Sequence, residues 1–315
     1  MALSSILAAV VAIPREVIWP YAVSALVILA GVGAIALRGE WSKARGIEKL
    51  ILLGPIFYAA PVAAFGTEHY VISGEISTMV PQWIPWHLFW TYLIGTGFIL
   101  GALSLVTKIQ SRLTASLFGF TFLVFVTTMD IPGLLSNPHN RFSAALALRE
   151  LSFGAGPLAL AATFTKQWRE RGTHFLATFA RYCIAVTVLF YSFEQFLHAD
   201  HVPALPLEML TPAWIPAHTF WTYLTAAAFV PTGIMLLLGK KTRLAAALIG
   251  LAILLVELIV YVPIGVSERA VLEGLNYLYD TLMFCGAVLL LASAMPKTAR
   301  EAESQLLVAE GKATA

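Results

Sequence analysis

Two histidines stand in nearly the same surroundings. PQWIPWHLFWTYL over 81–93 and PAWIPAHTFWTYL over 212–224 agree at ten of thirteen positions, at an offset of 131. In each copy a Trp-Ile-Pro start precedes the imidazole, with Pro85 or Pro216 expected in the first helical turn, where a missing N–H costs nothing. His87, Trp90 and Thr91 then share one helical face at i, i+3 and i+4, and His218, Trp221 and Thr222 repeat this. A neutral imidazole backed by an indole can bond a quinone carbonyl or relay a proton. The same residues serve equally as an anchor holding a helix end at headgroup level. Tyr92 and Tyr223 follow in the same motif, and with Trp90, Trp221 and His69 they complete the candidate cofactor contacts.

Carboxylates come next. Glu68 and Glu194 close the helix before each motif, and Glu68 lies 19 residues beyond Lys49, about 28 Å along a helix. Each is expected to meet the histidine of the next helix, Glu68 with His87 and Glu194 with His218, and to supply protons there. His69 becomes Gln195 in the second copy, so it breaks the symmetry. Glu194, His198 and His201 fall at i, i+4 and i+7, a two-His, one-carboxylate spacing with open positions. Pro203 follows at once and the first copy lacks the spacing, so a polar cluster at a loop end is the better reading, and no metal site is assigned. Glu257 lies 14 residues from Arg243, about 21 Å along its helix and so at membrane depth. An intramembrane carboxylate is a functional candidate by default. Arg149 and Asp280 again differ by 131; they could pair with each other, or Arg149 could pair with Asp130.

The elements that must position these residues are apolar. The chain is 59% hydrophobic and 12% charged, about half the charge of a soluble domain. Apolar runs near the length of a bilayer span recur throughout. Nine spans are expected: 17–38, 48–70, 84–106, 113–135, 142–165, 175–198, 215–238, 244–266 and 271–294. Only Arg15, Arg141, Arg149 and Arg269 of the 20 Lys and Arg fall on one side of these spans. The side holding Lys43, Lys108, Lys166, Lys240 and Lys297 is then cytoplasmic, the N-terminus outside and the C-terminus inside. All histidines but His174 lie on the outer side. MALSSILAAVVAIPR has no basic n-region and reads as a retained segment. Cys183 and Cys285 lie in apolar runs and read as buried hydrophobes. Pro132 and Pro263 are expected to kink the third helix of each copy, and Gly97-x-x-x-Gly101 reads as a packing motif.

The offset of 131 continues through Arg112/Arg243 and Pro132/Pro263, and becomes 126 upstream, where Glu68-His69-Tyr70 matches Glu194-Gln195-Phe196. The fold expected is an all-α polytopic membrane protein: an N-terminal helix and loop (1–47), two tandem parallel four-helix bundles (48–170 and 171–296) and a cytoplasmic tail (297–315).

Gly66-x-Glu68-His69-Tyr70, an outer loop and Val80-Pro-x-Trp-Ile-Pro-x-His-x-Phe-Trp-x-Tyr resemble the DoxX-like membrane proteins, which are four-helix units; this chain resembles two of them fused. The resemblance implies a multi-pass protein of a bacterial inner membrane, and some members of that family are subunits of a thiosulfate:quinone oxidoreductase. Three functions are open: a quinone-interacting subunit of a membrane redox system with a separate redox protein on the outer side, a non-catalytic scaffold or assembly factor, or a small-molecule carrier using Glu257. Nothing in the chain suggests a nucleic-acid partner; the lipid bilayer is the expected one. No haem, flavin or iron–sulfur motif is visible, so any electron donor must be a separate protein, and a quinone is the one cofactor expected.

Overall fold

The computed structural model describes residues 14–163, 170–205, 208–267 and 272–297, with side chains from residue 175 onward in the helix that begins at Glu170. Among them nine long helices follow one another: α1 (Arg15–Leu37), α2 (Ile47–Val71), α3 (His87–Thr107), α4 (Ser111–Ser136), α5 (Arg141–Ala162), α6 (Glu170–Leu197), α7 (His218–Leu237), α8 (Thr242–Ser267) and α9 (Leu272–Ala294). Eight of them are long and apolar enough to cross a bilayer; α5 is not among the eight. It has the length, but Arg149 and Glu150 interrupt its middle. The expected retained segment 1–13, Lys166, Arg169, Arg269 and the tail after Lys297 lie outside the described residues.

The described residues are all-helical, and the length and composition of eight of the helices are those of a multi-pass membrane protein. On α8, Leu244, Leu248, Leu251, Leu255 and Leu258 recur every three or four residues and all are exposed. A contiguous apolar stripe of this kind needs lipid to cover it.

Trp86 and Ala217 adopt left-handed backbone, with φ of 59° and 53°. The helices therefore start at His87 and His218, and Pro85 and Pro216 lie ahead of the first turn, not inside it where the sequence reading put them. An indole closes each reversal: Trp90 Nε1 donates to the Pro85 carbonyl at 3.0 Å, and Trp221 Nε1 to the Pro216 carbonyl at 2.9 Å.

Helices α4 and α8 each contain a π segment, Val126–Asp130 and Glu257–Tyr261, at the same offset of 131. Both sit just before the proline, Pro132 or Pro263, whose missing N–H already interrupts the i→i−4 ladder. The expected kink thus takes the form of a π turn.

The two expected bundles are not packed apart. A Cβ on Gly286 of α9 would strike the backbone of Phe57 and Tyr58 on α2, and one on Gly54 would strike Leu289. On the other side Ser152 of α5 donates to Thr187 Oγ1 of α6 at 3.0 Å, and Tyr191 of α6 donates to the Ala145 carbonyl of α5 at 2.7 Å. The first helix of each half thus packs on the last helix of the other. Helices α5 and α9 form the centre. A Cβ on Gly156 would lie 2.6 Å from Cα of Ala287, its own equivalent at +131. With Arg149 bonded to Asp280 seven residues earlier, α5 and α9 run parallel and in register.

Flanking contacts repeat as well. Gly119 abuts Leu158 as Gly250 abuts Leu289. The Phe153 carbonyl on α5 has no α-helical donor, because Pro157 lacks the N–H; Tyr58 OH donates to it at 2.8 Å.

Candidate functional site

The histidine layer is present at one end of the bundle, but it does not converge as expected. His87 and His218 are half-buried at their helix starts. Gly66 abuts the Gly95 carbonyl, which fixes the register of α2 against α3. On antiparallel helices this sets Glu68 level with Leu93, six residues or about 9 Å from the level of His87. In the second half Ser192 Oγ donates to the Ala226 carbonyl at 2.9 Å, which sets Glu194 level with Leu224 and equally far from His218. The expected Glu68–His87 and Glu194–His218 contacts therefore do not form. Glu194 instead meets Arg141 at 3.5 Å and His198 at 3.9 Å.

The remaining candidates have structural partners. Trp90 and Trp221 each spend their only donor on a proline carbonyl. Tyr92 stacks beside Tyr70, centroids 5.4 Å apart, and donates to Ser73 Oγ at 3.1 Å. Tyr223 stands beside Phe196 at 6.3 Å in the equivalent place. His69 lies against Gly95 and Phe98, and its Nδ1 is 2.7 Å from the Phe65 carbonyl. A carbonyl only accepts, so Nδ1 carries the hydrogen. His198 and His201 do not share a helical face, because α6 ends at Leu197. His201 Nδ1 turns to Asp200 Oδ1 at 3.0 Å, and that hydrogen bond holds the exposed Asp200 carboxyl below its ordinary range.

The structure gathers a different set of groups in the interior. Arg149 on α5 and Asp280 on α9 each lie eight residues into their helices, about 12 Å below the histidine end. Arg149 Nη1 is 2.5 Å from Asp280 Oδ2, and Nη2 is 2.9 Å from Glu150 Oε1. Of the two pairings open in the sequence, the structure selects Arg149–Asp280. Asp130 on α4 lies in electrostatic range of Glu150 and Arg149, and Glu68 on α2 in range of Asp280. Glu257 on α8 borders the group through Tyr261 and Tyr279. One buried oxygen on each of Glu68, Asp130, Glu150 and Glu257 has no hydrogen-bond partner.

Arg149 contacts two carboxyl groups, Asp280 and Glu150; Glu68, Asp130 and Glu257 make no ion pair with it among the described residues. A guanidinium can neutralise one carboxylate fully and share a second, and an unpaired charge in this medium costs several kcal/mol. Glu257, Glu68 and the Arg149–Asp280 pair were legible as candidates, and Asp130 as an alternative partner of Arg149; the part of Glu150 was not. The signal for the pair was the offset of 131 between two opposite charges at membrane depth; Glu150 and Asp130 have Thr281 and Tyr261 at that offset and so carry no such signal. Among the described residues no three His, Cys, Asp or Glu side chains converge as metal ligands would. Comparisons with known protein families, curated proteins and solved structures give no match.

Proposed function

We propose that the chain is a proton-handling membrane protein whose working site is the buried cluster around Arg149. The observation that carries this reading is the mismatch of one guanidinium against Glu68, Asp130, Glu150, Glu257 and Asp280, with orphaned buried oxygens on four of them. In this reading all nine long helices cross the membrane, α5 included, because Asp280 offsets its arginine inside the protein. The repeated contacts support a duplicated four-helix design of the DoxX-like kind, mounted parallel. The Lys/Arg bias favours an inner membrane with the N-terminus outside. Protons enter near Glu68 and Asp130, exchange at the Arg149 pair, and reach Glu257 deeper in α8. Such a path serves a small-molecule carrier.

Reconstitution into liposomes holding a pH-sensitive dye tests it. Glu257→Gln is expected to lower the imposed proton flux about tenfold or more with an unchanged melting temperature, because glutamine keeps the shape and cannot carry the proton. Wild-type flux equal to that of empty liposomes, or to that of the variant, removes the reading.

A second reading is favoured by His87 and His218, whose rings have no ion pair or hydrogen bond among the described residues and stand partly open at the helix starts. They are placed to bond the carbonyl of a quinone, with electrons from a separate redox protein on the same side and protons from the cluster. A quinone that co-purifies in mild detergent and is lost from a His87→Ala/His218→Ala variant is the expected result. A quinone-free protein held by a stable partner favours a scaffold instead.

A further inference from the structure

At the basic end, opposite the histidines, the segment 38–46 between α1 and α2 roofs a cavity of about 680 Å³. Gly39 and Gly46 bracket the segment with positive φ, 61° and 52°. These are turns that side chains with a Cβ rarely adopt. The cavity lies within the usual range of ligand pockets, ~300–1,000 Å³. Its inner wall is apolar, with Ile35, Ile51, Ile56 and Leu105, and its rim is charged.

Both rim carboxylates already have cations, although Oε2 of Glu40 has no hydrogen-bond partner. Glu40 meets Arg38 at 3.1 Å and Lys108 at 2.5 Å. Burial works against ionisation of Glu40, but Lys108 and Arg38 outweigh it and hold its carboxyl below the ordinary range. Glu48 is held by two hydrogen bonds from Arg243, at 2.9 and 2.6 Å. Lys43 and Arg45 are exposed and have no carboxylate partner among the described residues. Trp41, in the same segment, is exposed with the Lys49 ammonium 4.9 Å from its ring centroid. An exposed indole at a helix end sits at headgroup depth.

We infer that this cavity holds an anionic phospholipid, its phosphate against Lys43 and Arg45 and the upper part of its acyl chains along Ile35, Ile51 and Leu105. A soluble anion would satisfy the cations but leave the apolar wall uncovered. A zwitterionic lipid would cover the wall but bring its own ammonium group beside Lys43 and Arg45 and leave their charge unbalanced. Basic pockets between spanning helices are the recognised setting for anionic headgroups. The inference is independent of the proton-handling reading, since no residue of the Arg149 cluster lines the cavity.

The full-length protein is purified in mild detergent, delipidated, and exchanged into nanodiscs of equal phosphatidylglycerol and phosphatidylcholine, and retained lipid is weighed by native mass spectrometry. Phosphatidylglycerol is expected to be retained selectively. Lys43→Ala/Arg45→Ala should lower that selectivity about tenfold or more without a change in melting temperature, since both residues are exposed. Lys240→Ala/Lys241→Ala removes two exposed cations at the same end and should leave it intact. Equal retention of the two lipids, selectivity unchanged in the Lys43/Arg45 variant, or an equal loss in the Lys240/Lys241 variant each overturns the inference.

Discussion

Arg149→Leu is expected to cost about 3–5 kcal/mol of stability, enough to abolish folding in a marginal membrane protein. Leucine fills much of the space but strands the buried Asp280 and the partly buried Glu150, both now without a cation. Asp280→Asn should cost less, because Glu150 remains to pair with Arg149 at 2.9 Å. A double-mutant cycle between the two sites should return a coupling of about 1–3 kcal/mol. The exchange Arg149→Asp with Asp280→Arg should recover part of the loss, since the positions are equivalent across the α5–α9 contact. It cannot recover all of it: Glu150 would then adjoin a second acid, and the neighbour of position 280 is Thr281. Thermal melts in detergent decide the matter. An Arg149→Leu protein that melts with the wild type would show that the pair carries no weight.

The second large effect is expected at Gly286. Its Cβ would meet the backbone of α2, lying 2.6 Å from the Phe57 carbonyl carbon. Backbone cannot rotate away as a side chain can, so α2 and α9 must part. Gly286→Ala should cost about 1–3 kcal/mol and Gly286→Val more, as overpacking does in a filled core. Gly156→Ala should behave alike, its Cβ lying 2.6 Å from the Ala287 backbone. Gly97→Ala is the control. Nothing lies within 4 Å of its Cβ, so the substitution should be neutral or gain up to ~1 kcal/mol from helix propensity. Melting temperatures of the four variants, read against each other, test the packing. An unperturbed Gly286→Val protein would mean that α2 does not rest on α9. Gly97-x-x-x-Gly101 accordingly is no helix-pairing motif here: Gly97 faces open space, and Gly101 accommodates the Phe118 ring.

Much of the fold was legible because span length and an offset of 131 are properties of a single line of text. The starts of α3 and α7, the π segments and the Gly119/Gly250 contacts all keep that offset. Which helix rests on which is not written in periodicity. The close approaches that decide it, Gly54 and Gly286 with α2 on α9, lie 232 residues apart in the chain. For the same reason the histidine–glutamate contacts were expected and do not form. Residue types placed Glu68 and His87 at the same end, but the register set by Gly66 against Gly95 offsets them along the helices. The repeated Trp-Ile-Pro motif looked chemical, and it serves to start a helix, through a left-handed residue and an indole bonded to a proline carbonyl. The interior cluster was missed because its members come from α2, α4, α5, α8 and α9, and only the assembled protein brings them together.

The Arg149–Asp280 contact also bears on the ancestry of such a chain. Two identical half-length proteins meeting about the same axis would set guanidinium against guanidinium or acid against acid, and would repel at their closest approach. Joining the halves in one gene frees the two positions to diverge to opposite sign. A half carrying arginine at this place is then matched by a half carrying aspartate, as Arg149 is by Asp280, and not by a second copy of itself.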